Sequence, residues 1–284
     1  MLISVVIASR NEGENLTRTV ESIRRTQTEW PYEIVIADDC DEGSVRTIDG
    51  ARIVRTPARG YAGARNLGAR ASNGEVLVFA DAHIDVSPNW LDELIWVMET
   101  YKAGAVTPCV RDLGDTDGMI GCGMTLASLT RTDWNPRQEE PQETPLLSGA
   151  CYAVRADAFR RVGGYEESFR GYGCNDEELS IKLWLNGFSL YTCPRTCVAH
   201  KFRDQAPYRI PWTDAIYNKL YLALCHYGDE RVARLKEEQA LFLGADTLYH
   251  EVFTPENIQT VRIQSFARRV HSDDWFFRRF GLEL

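Results

Sequence analysis

Short, fully apolar runs separated by stretches of helical spacing constrain this 284-residue chain most. Ser4-Val-Val-Ile-Ala8, Glu33-Ile-Val-Ile-Ala37, Ile53-Val54 and Glu75-Val-Leu-Val-Phe-Ala80 do not alternate polar with apolar residues. Strands buried on both faces of a parallel sheet read this way. Between them, Asn11-Glu-Gly-Glu14 offers capping side chains ahead of Leu16, Val20 and Ile23 at helical spacing. Gly60 to Arg70 reads as a loop entering a helix, and Pro88 opens another whose apolar side is Trp90, Leu91, Leu94, Val97 and Met98. Strand and helix alternating over short connections predict an α/β fold, a doubly wound and mostly parallel sheet flanked by helices.

The pattern changes after about residue 110. Residues 111–147, with the run Asn135-Pro-Arg-Gln-Glu-Glu-Pro-Gln-Glu-Thr-Pro145, read as a mobile acidic loop near the substrate. A strand is expected over Gly149–Arg155, a helix over Asn175–Gly187 and a strand over Phe188–Tyr191. From about residue 206 the chain reads as helical and aromatic-rich. The expected division is a catalytic domain over 1–212 and a helical acceptor-side extension over 213–284.

Composition excludes some classes. A net charge of −9 argues against a nucleic-acid binder. No apolar run reaches the length of a membrane span, and the apolar start lacks a basic leader, so it reads as a first strand. The eight cysteines form no paired CxxC motifs and are expected as free thiols in a reducing cytosol. Arg262, Arg268, Arg269, Arg278 and Arg279 form a basic C-terminal group that fits either a solvated face or an acidic, membrane-peripheral contact.

The chemistry-bearing residues cluster at predicted strand ends. Asp81 and His83 follow the Glu75–Ala80 strand at i, i+2 spacing, which in an extended segment puts both side chains on one face. They would point into the crevice where such sheets bind ligands. A carboxylate with imidazole suits manganese better than magnesium, and His200, after a distant strand, is the candidate third ligand. Asp38 and Asp39 end a strand, where they either accept bonds from a nucleoside or cap a helix. Arg65 lies in a small-residue stretch, where it either reaches a base or phosphate or belongs to an ordinary helix packing face. Arg203 and Tyr208 are candidate phosphate donors. Asp176 opens a helix after a glycine-rich segment, as a cap or as a general base.

Taken together these residues resemble the GT-A-fold glycosyltransferases of family 2, through Ser4-Val-Val-Ile-Ala-Ser-Arg-Asn-Glu12, Asp38-Asp39, Ala64-Arg-Asn66 and Asp176. Asp81-Ala-His83 with Trp90-Leu91, Glu178-Leu-Ser-Ile-Lys-Leu-Trp184 and the His200 to Tyr208 segment are similar to polypeptide N-acetylgalactosaminyltransferase catalytic domains. The resemblance covers roughly residues 2–212. It implies a UDP-sugar donor, a manganese or magnesium ion on Asp81, His83 and His200, and a peptide, glycan or lipid acceptor. Ala8, Ser9, Glu12, Asp38, Asp39, Arg65, Asp81, Arg203 and Tyr208 would contact the nucleotide-sugar. Asp176 would be the base of an inverting displacement; a retaining outcome is the alternative. Asn175-Asp176 departs from the Glu-Asn of the peptide-modifying enzymes and from the Glu-Asp usual in family 2. A counterpart of the peptide-modifying enzymes' lectin domain or membrane anchor is not expected in this chain. A nucleotidyltransferase or a non-catalytic nucleotide-sugar-binding module are the rival readings.

Overall fold

A computed structural model describes residues 1–40, 47–56, 58–115, 118, 121–203, 209–240, 242, 244–253 and 256–283. The chain runs β1 (Ile3–Ser9), α1 (Glu14–Arg25), β2 (Tyr32–Asp38), β3 (Arg52–Arg55), α2 (Gly60–Ala71) and β4 (Val76–Asp81). It continues through β5 (Ile84–Val86), α3 (Trp90–Thr100), β6 (Ala105–Asp112), β7 (Gly121–Cys122), β8 (Met124–Leu126) and β9 (Thr132–Trp134). Then come β10 (Cys151–Arg155), α4 (Ala156–Arg161), α5 (Asn175–Leu185) and β11 (Leu190–His200). The helices α6 (Trp212–His226), α7 (Asp229–Gln239), α8 (Ala245–Phe253), α9 (Glu256–Arg268) and α10 (Asp273–Arg279) complete it.

The main sheet has the order β3-β2-β1-β4-β10-β6-β11-β5, with β7 added to β6. Strands β3, β2, β1 and β4 are parallel, as the apolar runs predict. β10 is antiparallel to both neighbours, so β6 and β11 point the same way as β4. The C-terminal ends of β1, β2, β4 and β11 therefore share one edge of the sheet, where ligands bind in open α/β folds. One apolar layer packs α1 and α3 on the sheet through Leu16, Ile23, Trp90 and Leu94. The other joins Phe79, Tyr152 and Leu179 to Leu220, Phe276 and Phe277, so the core is continuous across the expected boundary at 212/213.

Three expectations need correction. Residues 111–147 are not a free loop, for they hold β7 and the β8–β9 hairpin. The acidic, proline-rich run is tied to β11, with Thr144 N donating to Leu190 O at 3.0 Å and Thr192 N to Gln142 O at 2.8 Å. A segment without periodicity can still be fixed by backbone pairing to a sheet. Cys109 and Cys122 are joined as a disulfide, brought opposite each other by the β6–β7 pairing. Most of the C-terminal arginines do not form a free basic face. Arg262 donates to the carbonyls of Leu224 and Tyr227, Arg269 to that of His226, and Arg279 pairs with Glu143. The first two satisfy carbonyls left open at the end of α6, where positive charge also suits the helix dipole.

Candidate active site

The shared sheet edge opens into a cavity of about 470 Å³, in the range of small-ligand sites. Its walls include Ala8 and Ser9 at the end of β1 and Glu12 beyond it, Asp39 after β2, Tyr61 on α2, Asp81 at the end of β4 and His83 in the turn that follows. Gly171, Tyr172, His200, Arg203, Arg209 and Ile210 also line it.

Asp81, His83 and His200 converge, each offering one ligand atom, all within 4.8 Å of one another. The route differs from the expected one. Asp81 ends β4, and Ala82-His83 is a turn into β5 rather than a continuing strand, so extended i, i+2 alternation does not apply. The turn is held because β5 pairs with β11 in the register His200↔Ile84, and Lys201 N donates to His83 O at 3.1 Å. Backbone pairing thus delivers His200 beside His83, with His200 Nε2 3.2 Å from Asp81 Oδ2. His83 Nδ1 lies 3.4 Å from Glu12 Oε1, the kind of outer carboxylate that orients a metal-ligating imidazole. Two imidazoles and a carboxylate suit a borderline divalent ion.

Burial pushes the Asp81 carboxyl upward, but the His200 hydrogen bond and Arg65 outweigh it and hold it below the usual carboxylate range. Glu12 behaves alike: burial opposes ionisation, yet His83 and Arg203 together bring it down. The Arg203 guanidinium grips both Glu12 oxygens, one at 3.1 Å, so in this state its donors face a carboxylate.

Arg65 is fully buried and does not line the cavity, contrary to its expected contact with nucleotide. Its Nη2 donates to Asp81 at 2.8 Å and to Gly149 O at 3.1 Å. Its Nη1 donates to Asp176 at 3.1 Å and to Tyr165 Oη at 2.9 Å. The Tyr61 ring lies 4.1 Å from the guanidinium carbon. Arg65 is a crossbar between the carboxylate of the candidate metal-binding group and the carboxylate at the start of α5. The small-residue face of α2 lets it pass into the core.

Asp176 accepts hydrogen bonds from Tyr61 at 2.7 Å and from Tyr165 at 3.1 Å, besides Arg65. Burial raises its carboxyl above the ordinary value, more than Arg65 and Tyr61 lower it. A Cβ at position 149 would lie 2.5 Å from Asp176 Oδ2, so this close approach requires Gly149. Tyr61, Tyr165 and Gly149 were not legible as site residues, because each acts only through a partner remote in sequence.

Asp38 does not line the cavity either. It is fully buried, pairs with Arg55 and accepts from Cys40 N, because alternation along β2 turns it away from its neighbour. Asp39 lines the cavity while holding the start of α2, accepting from the backbone of Arg59 at 2.7 Å and Gly60 at 2.9 Å. Burial raises its carboxyl above the ordinary value. Tyr208 lies outside the described residues.

The family model described as glycosyl transferase family 2 matches residues 4–163, and the chain belongs to that family. A second model, described as the N-terminal domain of galactosyltransferase, matches residues 136–203. N-acetylgalactosaminyltransferase 6 of Drosophila melanogaster is 29% identical over 311 aligned positions, covering 99% of this chain and 45% of the relative. N-acetylgalactosaminyltransferase 4 of the same organism is 32% identical, covering 71% of this chain and 35% of the relative. The chain spans less than half the length of these curated relatives. Among solved structures, GalNAc-T7 with UDP, GalNAc and Mn2+ superposes with a TM-score of 0.76 at 21% identity, covering 99% of this chain and 56% of that one. S. aureus TarS with UDP superposes at 0.56 and 14% identity, covering 93% of this chain and 79% of that one. These likenesses show the GT-A fold. No helix among the described residues is long and apolar enough to cross a membrane.

Proposed function

We propose that this chain transfers a sugar from a UDP-sugar donor to an acceptor hydroxyl or thiol on a peptide, glycan or lipid. The observation carrying the proposal is the convergence of Asp81, His83 and His200 at the sheet edge, linked through Arg65 to Asp176. The GalNAc-T7 structure, with the same fold, contains UDP and Mn2+. Asp81, His83 and His200 would hold manganese, or less well magnesium, and Glu12 would orient His83. A bound divalent ion neutralises charge on a departing diphosphate. Ala8, Ser9 and Asp39 wall the nucleoside side. Arg203 would exchange Glu12 for a phosphate oxygen, a charge-assisted contact of the same bidentate kind. Tyr208 is the second candidate phosphate donor.

Asp176 would take the acceptor proton in an inverting displacement. Its raised carboxyl supports that role, since a base works best with a pKa near the operating pH. The retaining outcome is the alternative reading. The helices from α6 onward would form the acceptor side of the 1–212 catalytic unit.

The test is UDP release from a panel of UDP-sugars. Excess chelator should abolish release, and manganese should restore it better than magnesium. Full release in chelator would remove the ion from the chemistry. Donor binding with no release under any condition would favour a binding module. Anomeric configuration of the product, read by NMR, separates inversion from retention.

A further inference from the structure

We infer that Asn218, on α6, is a positioning residue that moulds the acceptor side of the cavity by holding the glycine-rich segment 170–174. The inference rests on the proposed sugar transfer. Asn218 is fully buried, and its amide is spent on that segment's backbone. Its Oδ1 accepts from Arg170 N at 2.7 Å, and its Nδ2 donates to Arg170 O at 2.8 Å and Gly173 O at 2.9 Å. Both amide hydrogens and the carbonyl are thereby used.

The contacts continue along one face of α6. Asp214 closes over Gly171, where an added Cβ would lie 2.7 Å from its carboxylate. Ala215 backs onto Gly173, whose φ is +119°. The Arg170 guanidinium lies 3.6 Å from the Tyr217 ring centre. Lys219 pairs with Glu177 and His226 with Glu178, both in the first turn of α5 beside Asp176. Gly171 and Tyr172 line the cavity, and the same segment leads directly into Asp176. The segment's conformation is set by α6, because left-handed Gly171, Gly173 and Cys174 have no regular backbone ladder of their own. Misplacing a catalytic group by about 1 Å costs about 100-fold in rate, so the mould acts on turnover rather than on donor binding.

The experiment uses Asn218→Ala in the full chain, with UDP-N-acetylgalactosamine and water as acceptor. UDP affinity in manganese and the KM for donor should stay within about 2-fold of wild type, while kcat falls about 10-fold or more. Trypsin cleavage after Arg170 should quicken in the folded variant. Gly173→Ala disturbs the same contact from the loop side, and it should show the same split if Asn218→Ala does not fold. Equal loss of UDP affinity and kcat would overturn the inference, as would faster cleavage with an unchanged kcat. Asp176→Asn in the same assay reads the base assignment separately, since it should leave cleavage after Arg170 unchanged.

Discussion

The two sides of the cavity are built by different means. On the proposed donor side, Asp81, His83 and His200 are set by strand register, the β1–β4 and β5–β11 ladders fixing their backbones before any side chain acts. On the proposed acceptor side, Asp176, Gly171 and Tyr172 are set by side chains reaching across the chain, from Tyr61, Tyr165, Asn218 and Lys219. A ladder of backbone bonds tolerates substitution of any one side chain. A bridge of buried side chains does not, because each loss leaves another polar group unpaired. Donor binding should therefore survive mutations on the acceptor side that destroy transfer.

Arg65 joins the two sides, and removing it is the most severe way to break the comparison. Arg65→Met removes the buried cation from between the half-buried carboxylates of Asp81 and Asp176 and should cost about 3–5 kcal/mol of stability, the scale for breaking a buried ion pair. Chemical denaturation would measure it, and a loss under 1 kcal/mol would show that the crossbar carries little. Asp176→Asn is milder. It should preserve UDP affinity and slow transfer about 100-fold, the usual scale for a lost general base. A near-wild-type rate would reduce Asp176 to a helix cap.

The pH profile sharpens the same contrast. Asp176 must be ionised to accept a proton, and its folded carboxyl titrates above the ordinary value because it is buried. With saturating manganese, kcat should fall about 10-fold per unit as pH drops below that titration, and this limb should vanish in Asp176→Asn. An identical limb in both proteins would assign it elsewhere. The smallest effect is expected far from the cavity. Arg279→Ala removes a partly exposed pair with Glu143 and should change stability by less than about 1 kcal/mol, measured by the same denaturation.

The fold was legible where burial is uniform. β1, β2 and β4 lie within a residue or two of the apolar runs that announce them, since a strand covered on both faces leaves no room for polar side chains. β5 and β7 to β9 were not legible. They are two or three residues long, too short for any period, and exist through their partners. The cavity divides likewise. Asp81, His83 and His200 were readable as chemistry at strand ends, although the turn that joins the first two was not. Arg65 was readable either as a nucleotide contact or as part of a packing face, and nothing in Ala64-Arg-Asn66 says whether its guanidinium faces the cavity or the core.

By itself the sequence determined the succession of buried strands and packed helices, and with it the edge at which polar side chains gather. That information is local, carried by hydrophobicity and backbone geometry over a few residues. Tertiary structure alone decided which polar groups face the cavity and which hold others in place. Asp38 and Asp39 differ by one step of alternation, and only the neighbours Arg55 and the start of α2 separate their roles. Asn218 sits in an otherwise ordinary helix, and its meaning comes from carbonyls 45 and 48 residues away in the chain. Desolvation and hydrogen-bond satisfaction act between residues that meet only once the core has closed, so no local pattern could announce them.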